Sequence, residues 1–288
     1  MITALDTIEQ SAHHSFGQGK SQLLDIGGGY GITTQYEKPG ILDQAGKPVI
    51  GLAQFETTYL DGKVLFLALA RGESDQDFSA ATLPKTRLLI LGKRFFELFN
   101  NPSHEVQMGY RQAEAVDMIL GHELTHIRLG QLNDVQQGVV DTFYANNWVQ
   151  VHSFAQELMK RDDYRKKIIE STVKAKQSNP EIKTRTVVSD GQKYEVAVHE
   201  IVDELLAFSS AGTLIDNNRL AQLATINPTK EFQCRERLSV VAIDTLNKIR
   251  QISKTTTPLP GEDLHQGLRS LIDLIKLSIP KLLAQQTN

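Results

Sequence analysis

Apolar positions in the first hundred residues fall in short β-rich runs, whereas later ones recur mostly at helical spacing. Residues 1–22 are polar, and "HHSFGQGKSQ" reads as a loop or tail. "KPVIGLAQFETTYL" (47–60) and "KVLFLALA" (63–70) flank Asp61-Gly62, a strong short hairpin signal. "TRLLILG" (86–92) predicts another strand and "KRFFELF" (93–99) a short helix, before Asn100-Asn101-Pro102-Ser103 breaks the chain. The segment 105–130 is helical over most of its length, with Val116, Ile119, Leu120 and Ile127 at helical spacing and Gly130 placed to cap it. Residues 139–172 read as helix and "SNPEIK" (178–183) as loop. "TRTVV" and "KYEVAV" flank Ser189-Asp190-Gly191-Gln192 as a second hairpin. "HEIVDELLAFSSAG" (199–212) predicts a short helix, and two more follow Pro228, at 231–252 and 263–286. Strands gathered early and helices late predict an α+β fold, not a βαβ alternation.

Composition narrows the classes without naming one. The chain has 288 residues, of which 40% are hydrophobic and 23% charged, as in an ordinary globular protein. A formal net charge of −3 argues against a nucleic-acid binder held by bulk charge, so no nucleic-acid partner is expected. The longest apolar run, "VLFLALA" (64–70), is far short of the ~20 residues that span a bilayer, so no membrane partner is expected either. The start, "MITALDTIEQ", carries acids where a secretory signal carries bases. The expectation is a soluble protein of the cytoplasm, or one delivered into another cell's cytosol. A single cysteine, Cys234, excludes an intramolecular disulfide and any multi-cysteine metal site, and reads as a structural thiol.

Two stretches carry candidate chemistry. "LLDIGGGYG" (23–31) resembles the first motif of S-adenosylmethionine-dependent methyltransferases, whose glycines end a strand and open a helix against the cofactor. Here Pro39-Gly40 stops any helix within about two turns, and the next strong element is a hairpin. The crossover helix is therefore missing, and the expectation is a glycine turn beside an early strand. "GQGKS" (17–21) fails as a phosphate-binding loop, because His14 stands where its first glycine belongs.

The second stretch is His122-Glu123-Leu124-Thr125-His126, inside the predicted helix. Residues four apart on a helix share a face, so both imidazoles can ligate one zinc ion. Glu123 is then placed to take a proton from a metal-activated water. With these residues the chain resembles the zincin-type zinc metallopeptidases, and most nearly their gluzincin branch. The resemblance covers the helix around 110–130 and, beyond it, a second helix near 199–212. It implies a zincin-like α+β fold: a small, mostly antiparallel N-terminal sheet packed on the HExxH helix, followed by a largely helical C-terminal part. It also implies one zinc ion per chain, a peptide or protein substrate, and a sheet edge supplied by "KVLFLALA" or "TRLLILG". The matching division would be an N-terminal extension (1–45), a catalytic core (46–215) and a C-terminal helical region (216–288).

The third ligand separates the branches. The metzincin positions after His126 hold Leu129 and Leu132, which excludes that pattern. "GVVDTFYA" (138–145) partly matches the aspzincin motif and offers Asp141. "HEIVDELLAF" (199–208) offers Glu204 and Glu200, four apart on one helix face, as the gluzincin ligand and its supporting carboxylate. Glu204 is preferred, since small Ala207 follows it and would let the two helices approach closely. An oxyanion donor is also needed; Tyr194 and His199 are the nearest candidates, with Tyr144, Tyr164 and His152 behind them. His13, His14, His104 and His265 read as surface residues. Three other readings stand beside the peptidase: a zinc-binding regulatory or interaction protein without catalysis, a methyltransferase, and a helical interaction protein in which HExxH is a coincidence. A host protein would be the target if the chain is a secreted effector.

Overall fold

The structure is a computed structural model that describes residues 23–27, 30–33, 40–43, 50–69, 79–84, 87–98, 109–226, 241, 244–248 and 264–284. It is α+β and mostly helical, and it divides into two compact units: residues 1–104 with 266–288, and residues 105–265. These boundaries differ from those anticipated at 45/46 and 215/216. Cys234, His13, His14, His104 and most of the helix expected at 231–252 lie outside the described residues.

In the first unit, β1 (Leu23–Gly27), β2 (Tyr30–Thr33) and β3 (Gly40–Asp43) form an antiparallel meander. The strand before the glycines thus pairs with the strand just after them, the reverse of the strand-to-helix passage a dinucleotide or methyltransferase motif requires. A second sheet has the order β4-β5-β7-β6, from β4 (Ile50–Thr57), β5 (Lys63–Leu69), β6 (Ala80–Leu83) and β7 (Leu88–Leu91). Two of its pairings are antiparallel, and β5 runs parallel to β7. The first expected hairpin is present as β4–β5, with Asp61 and Gly62 both at positive φ.

β5 and β7 are interior strands, so neither "KVLFLALA" nor "TRLLILG" supplies an edge of this sheet. The physical reason is legible in their composition: Leu65, Phe66, Leu67 and Leu69, and all of Leu88–Leu91, are buried. An unbroken apolar run has no polar face to turn to water and belongs between two neighbours, covered on both sides. The edges are β4 and β6, whose described side chains are mostly half-exposed. After α1 (Lys93–Glu97), the unit is completed by most of α7 (Leu264–Ala284). The apolar face of α7 is buried through Leu264, Leu268, Leu271, Ile272, Ile275 and Ile279. The spacing of these residues is that of a helix laid on a core.

The second unit is built on α2 (Gln112–Leu129), α3 (Asp134–Leu158), α4 (Asp162–Ser178), the hairpin β8 (Thr184–Ser189) and β9 (Gln192–Ala197), α5 (Val198–Gly212) and α6 (Asn217–Ile226). The helix expected over 139–172 is two helices. The break at Met159–Arg161 precedes Asp162 and Asp163, acids that favour the positive end of a new helix. The second hairpin turns as expected at Asp190 and Gly191, both at positive φ, which suits the two-residue turn between right-twisted strands. Ala197 N–H donates to Thr172 Oγ1 at 2.9 Å, tying the start of α5 to α4.

α2 and α5 form the most extensive helix pair of this unit. Both are buried along most of their length, as expected of central helices. Gly121 permits their approach: a Cβ there would stand 2.5 Å from Leu214 Cδ1 and 3.3 Å from Ala211 Cα. Buried Thr125 satisfies its hydroxyl within α2 by donating to Gly121 O at 2.8 Å. The unanticipated α6 is started by Asp216, whose Oδ1 accepts from Asn218 N and Arg219 N. Arg219 then reaches Glu114 Oε1 at 3.1 Å, which fastens α6 to the first turn of α2.

Candidate metal centre

His122 and His126 lie one turn apart on α2, and both are buried. Across from them α5 presents Glu204, which is 3% exposed. The three side chains converge. His122 Nε2 and His126 Nε2 are 2.9 Å apart, and Glu204 Oε2 lies 3.3 Å from the first and 3.6 Å from the second. Among the described residues these three are the only group of histidines, cysteines and acids so gathered. They could hold a metal ion.

The donor set fits one. With zinc–ligand distances of about 2.0–2.1 Å, the edges of a ligand tetrahedron are about 3.3 Å, and the three observed separations bracket that value. Glu204 Oε2 is buried without a hydrogen-bond partner, an arrangement that is costly unless a cation or donor takes the lone pair.

Two of the three ligands are hydrogen-bonded from behind, whereas His122 Nδ1 is buried without a hydrogen-bond partner. His126 Nδ1 is 2.6 Å from Asp203 Oδ2, so its Nδ1–H donates to that carboxylate and its Nε2 is turned to the cluster. The other oxygen of Glu204, Oε1, accepts from Lys167 Nζ at 2.8 Å. His122 is covered by Phe208, whose ring centroid is 4.3 Å away and which follows Glu204 by one turn of α5. Phe208 in turn packs on Phe154 of α3 and Tyr164 of α4.

The electrostatics follow from this packing. Burial, and then the charge of His126, push the His122 imidazole below its usual range. Burial works the same way on His126, but Asp203 and Glu204 outweigh it and hold His126 well above its usual value. Burial would raise Glu204, yet Lys167 and His126 hold its carboxyl well below the usual range. Desolvation disfavours the Lys167 ammonium, but Glu204 and then Glu123 more than compensate and raise it. Of the two imidazoles, His126 is therefore the one favoured to hold a proton, while Glu204 is favoured as a carboxylate and Lys167 as an ammonium.

Glu123, half-buried on α2, lies close enough for its charge to act on His122 and Lys167, and it forms no hydrogen bond or ion pair among the described residues. The other sequence candidates are placed elsewhere. Glu200 accepts from His199 Nε2 at 3.0 Å in the first turn of α5, and neither joins the cluster. One helical turn separates Glu200 from Glu204, which is enough to take it out of reach of the imidazoles. Asp141 is exposed on α3 and outside the cluster. Tyr194 O–H donates to Gln192 Oε1 at 2.5 Å within the hairpin. Tyr144 O accepts from Arg185 Nε at 3.4 Å. His265 is half-buried, not a free surface residue, with Nε2 2.8 Å from Thr213 O.

Asp203 and Lys167 are the residues that sequence reasoning missed. Asp203 had a signal, since it adjoins Glu204 on α5. Lys167 had none, because it reaches the site from α4. A cavity of about 560 Å³ opens between α3, the β8–β9 hairpin and the start of α5, lined by Trp148, Val151, His152, Arg185, Val196 and Ile201 among others. Ile201 precedes Glu204 by three residues on α5.

Comparison with protein families, with characterised proteins and with solved structures finds no match. The structure itself shows a buried cluster of His122, His126 and Glu204 that could hold a metal ion. No helix among the described residues is long and apolar enough to cross a membrane.

Proposed function

We propose that this chain is a zinc-dependent metallopeptidase of gluzincin-like design, hydrolysing peptide bonds in a peptide or protein substrate. The observation that carries the reading is the convergence of His122, His126 and Glu204 beside a Glu123 carboxylate with no partner of its own among the described residues. His122 Nε2, His126 Nε2 and Glu204 Oε2 would hold one zinc ion. A zinc ion held there supplies Lewis acidity, which brings the pKa of a water towards ~7 and polarises a carbonyl.

The chain's own residues do the rest. Glu123 takes the proton from the attacking water and delivers it to the leaving amine. Asp203 fixes the ring of His126, and Phe208 closes the apolar side of His122 against water.

Replacing Glu123 with glutamine tests the reading. The variant is expected to bind zinc as the parent does and to lose hydrolysis by at least ~10²-fold. Undiminished turnover would remove the assigned role. Metal binding with no cleavage by the parent in any peptide library would favour a non-catalytic zinc protein.

A further inference from the structure

Lys167 is the one cation that α4 brings to the cluster, and it takes a particular atom. Its Nζ lies 2.8 Å from Glu204 Oε1, while Oε2 of the same carboxylate is the atom left without a hydrogen bond and turned to the two imidazoles. The two oxygens of a carboxylate are equivalent until something distinguishes them. Unrestrained, a carboxylate can give a metal one oxygen or both. At 2.8 Å the ammonium makes a charge-assisted bond of ordinary length for its type, roughly twice as strong as a neutral one, and it occupies one of the two oxygens.

The lysine is also anchored. Its Nζ sits 5.8 Å from the centroid of Tyr164, one turn earlier on α4, and that ring packs on Phe208, which covers His122. The Lys167 side chain is 55% exposed and Glu204 only 4%, so Lys167 approaches the buried carboxylate from the solvent side.

We propose that Lys167 is a positioning residue that makes Glu204 a one-oxygen ligand and thereby keeps the ion four-coordinate, with one position for water. This rests on the metal reading above. Without Lys167, Oε1 is released and Glu204 can give the ion both oxygens, which raises the coordination number from four to five.

Cobalt(II) reports this directly, since four-coordinate cobalt absorbs strongly in the visible and higher-coordinate cobalt weakly. The full chain, Lys167→Met and Lys167→Arg are each stripped of metal, checked for folding by circular dichroism and titrated with cobalt(II) chloride alone. The parent is expected to give intense bands saturating at one equivalent. Lys167→Met is expected to give weaker bands at the same stoichiometry, and Lys167→Arg, which keeps a cationic donor, to retain the parent's intensity. Folded Lys167→Met with the parent's spectrum overturns the proposal, as does Lys167→Arg behaving like Lys167→Met. A parent that binds no cobalt overturns the metal reading itself and the proposal with it. If Lys167→Met does not fold, Lys167→Ala, which also removes the donor, takes its place with the same two outcomes.

Discussion

Asp203 Oδ2 lies 2.6 Å from His126 Nδ1, although the two residues are 77 positions apart in the chain. The bond fixes both the tautomer and the direction of the imidazole, because a ring that donates through Nδ1 presents Nε2 to the cluster. Asp203 is partly exposed, at 37% of its side chain, yet its charge is the largest of the influences that raise the His126 imidazole, so it both orients and charges the ring. Asp203→Asn keeps the shape and removes the charge. Zinc affinity is expected to fall by roughly 10–100-fold, measured by competition with a chromophoric chelator. Unchanged affinity would show that the bond does not orient the ligand.

The same pair sets the pH dependence of metal binding. His126 in the metal-free protein is held well above its usual value, so near pH 7 it carries a proton that zinc must displace. Affinity should therefore rise with pH until His126 deprotonates by itself, and then level off with respect to this group. Calorimetric titrations near neutral pH in buffers of different ionisation enthalpy should report about one proton released per zinc bound. An enthalpy independent of buffer would contradict the assignment of the proton.

His199 and Glu200 make a separable pair. The bond to Glu200 raises the His199 imidazole above its ordinary range. A raised folded-state pKa contributes stability that is fully present below the unfolded value near 6.5 and is lost as pH rises through the folded value. Glu200→Gln should flatten that dependence in denaturant unfolding between these limits while leaving zinc content unchanged. Loss of zinc from Glu200→Gln, and not from Glu204→Gln, would exchange the roles assigned to the two acids.

Gly121 sets the distance between the helices that carry the site. Gly121→Val places a branched side chain against Leu214 and Ala211. Overpacking of this kind costs about 1–3 kcal/mol, more than the few tenths gained by removing glycine from a helix. Urea unfolding is expected to show that loss, and zinc affinity should fall with it, because His122 is the next residue. Full stability would mean that the helices can separate without cost.

What could be read in the sequence was whatever lies within one helix or one turn. HExxH is a statement about a single face of α2, and Asp190-Gly191 about a single turn. Small Ala207 is what favours Glu204 over Glu200 in the sequence; Gly121 of the facing helix packs close to Ala211, one turn beyond Ala207. The lysine on Glu204 Oε1 lies 37 residues from it, and no local pattern announces such a contact. The interior position of β5 and β7 is written in their unbroken apolar runs, which leave no polar face for an edge. The break after Leu158 was signalled only by Asp162 and Asp163, two acids in an otherwise helix-compatible stretch.

Metal content bears most directly on the whole account. Protein purified without a histidine tag or chelator, and assayed by mass spectrometry, should carry about one zinc per chain. His122→Ala and Glu204→Ala, shown to be folded, should carry almost none. If the parent chain holds no zinc even after reconstitution, the convergence of His122, His126 and Glu204 is an ordinary buried polar cluster, and the proposed peptidase chemistry falls with it.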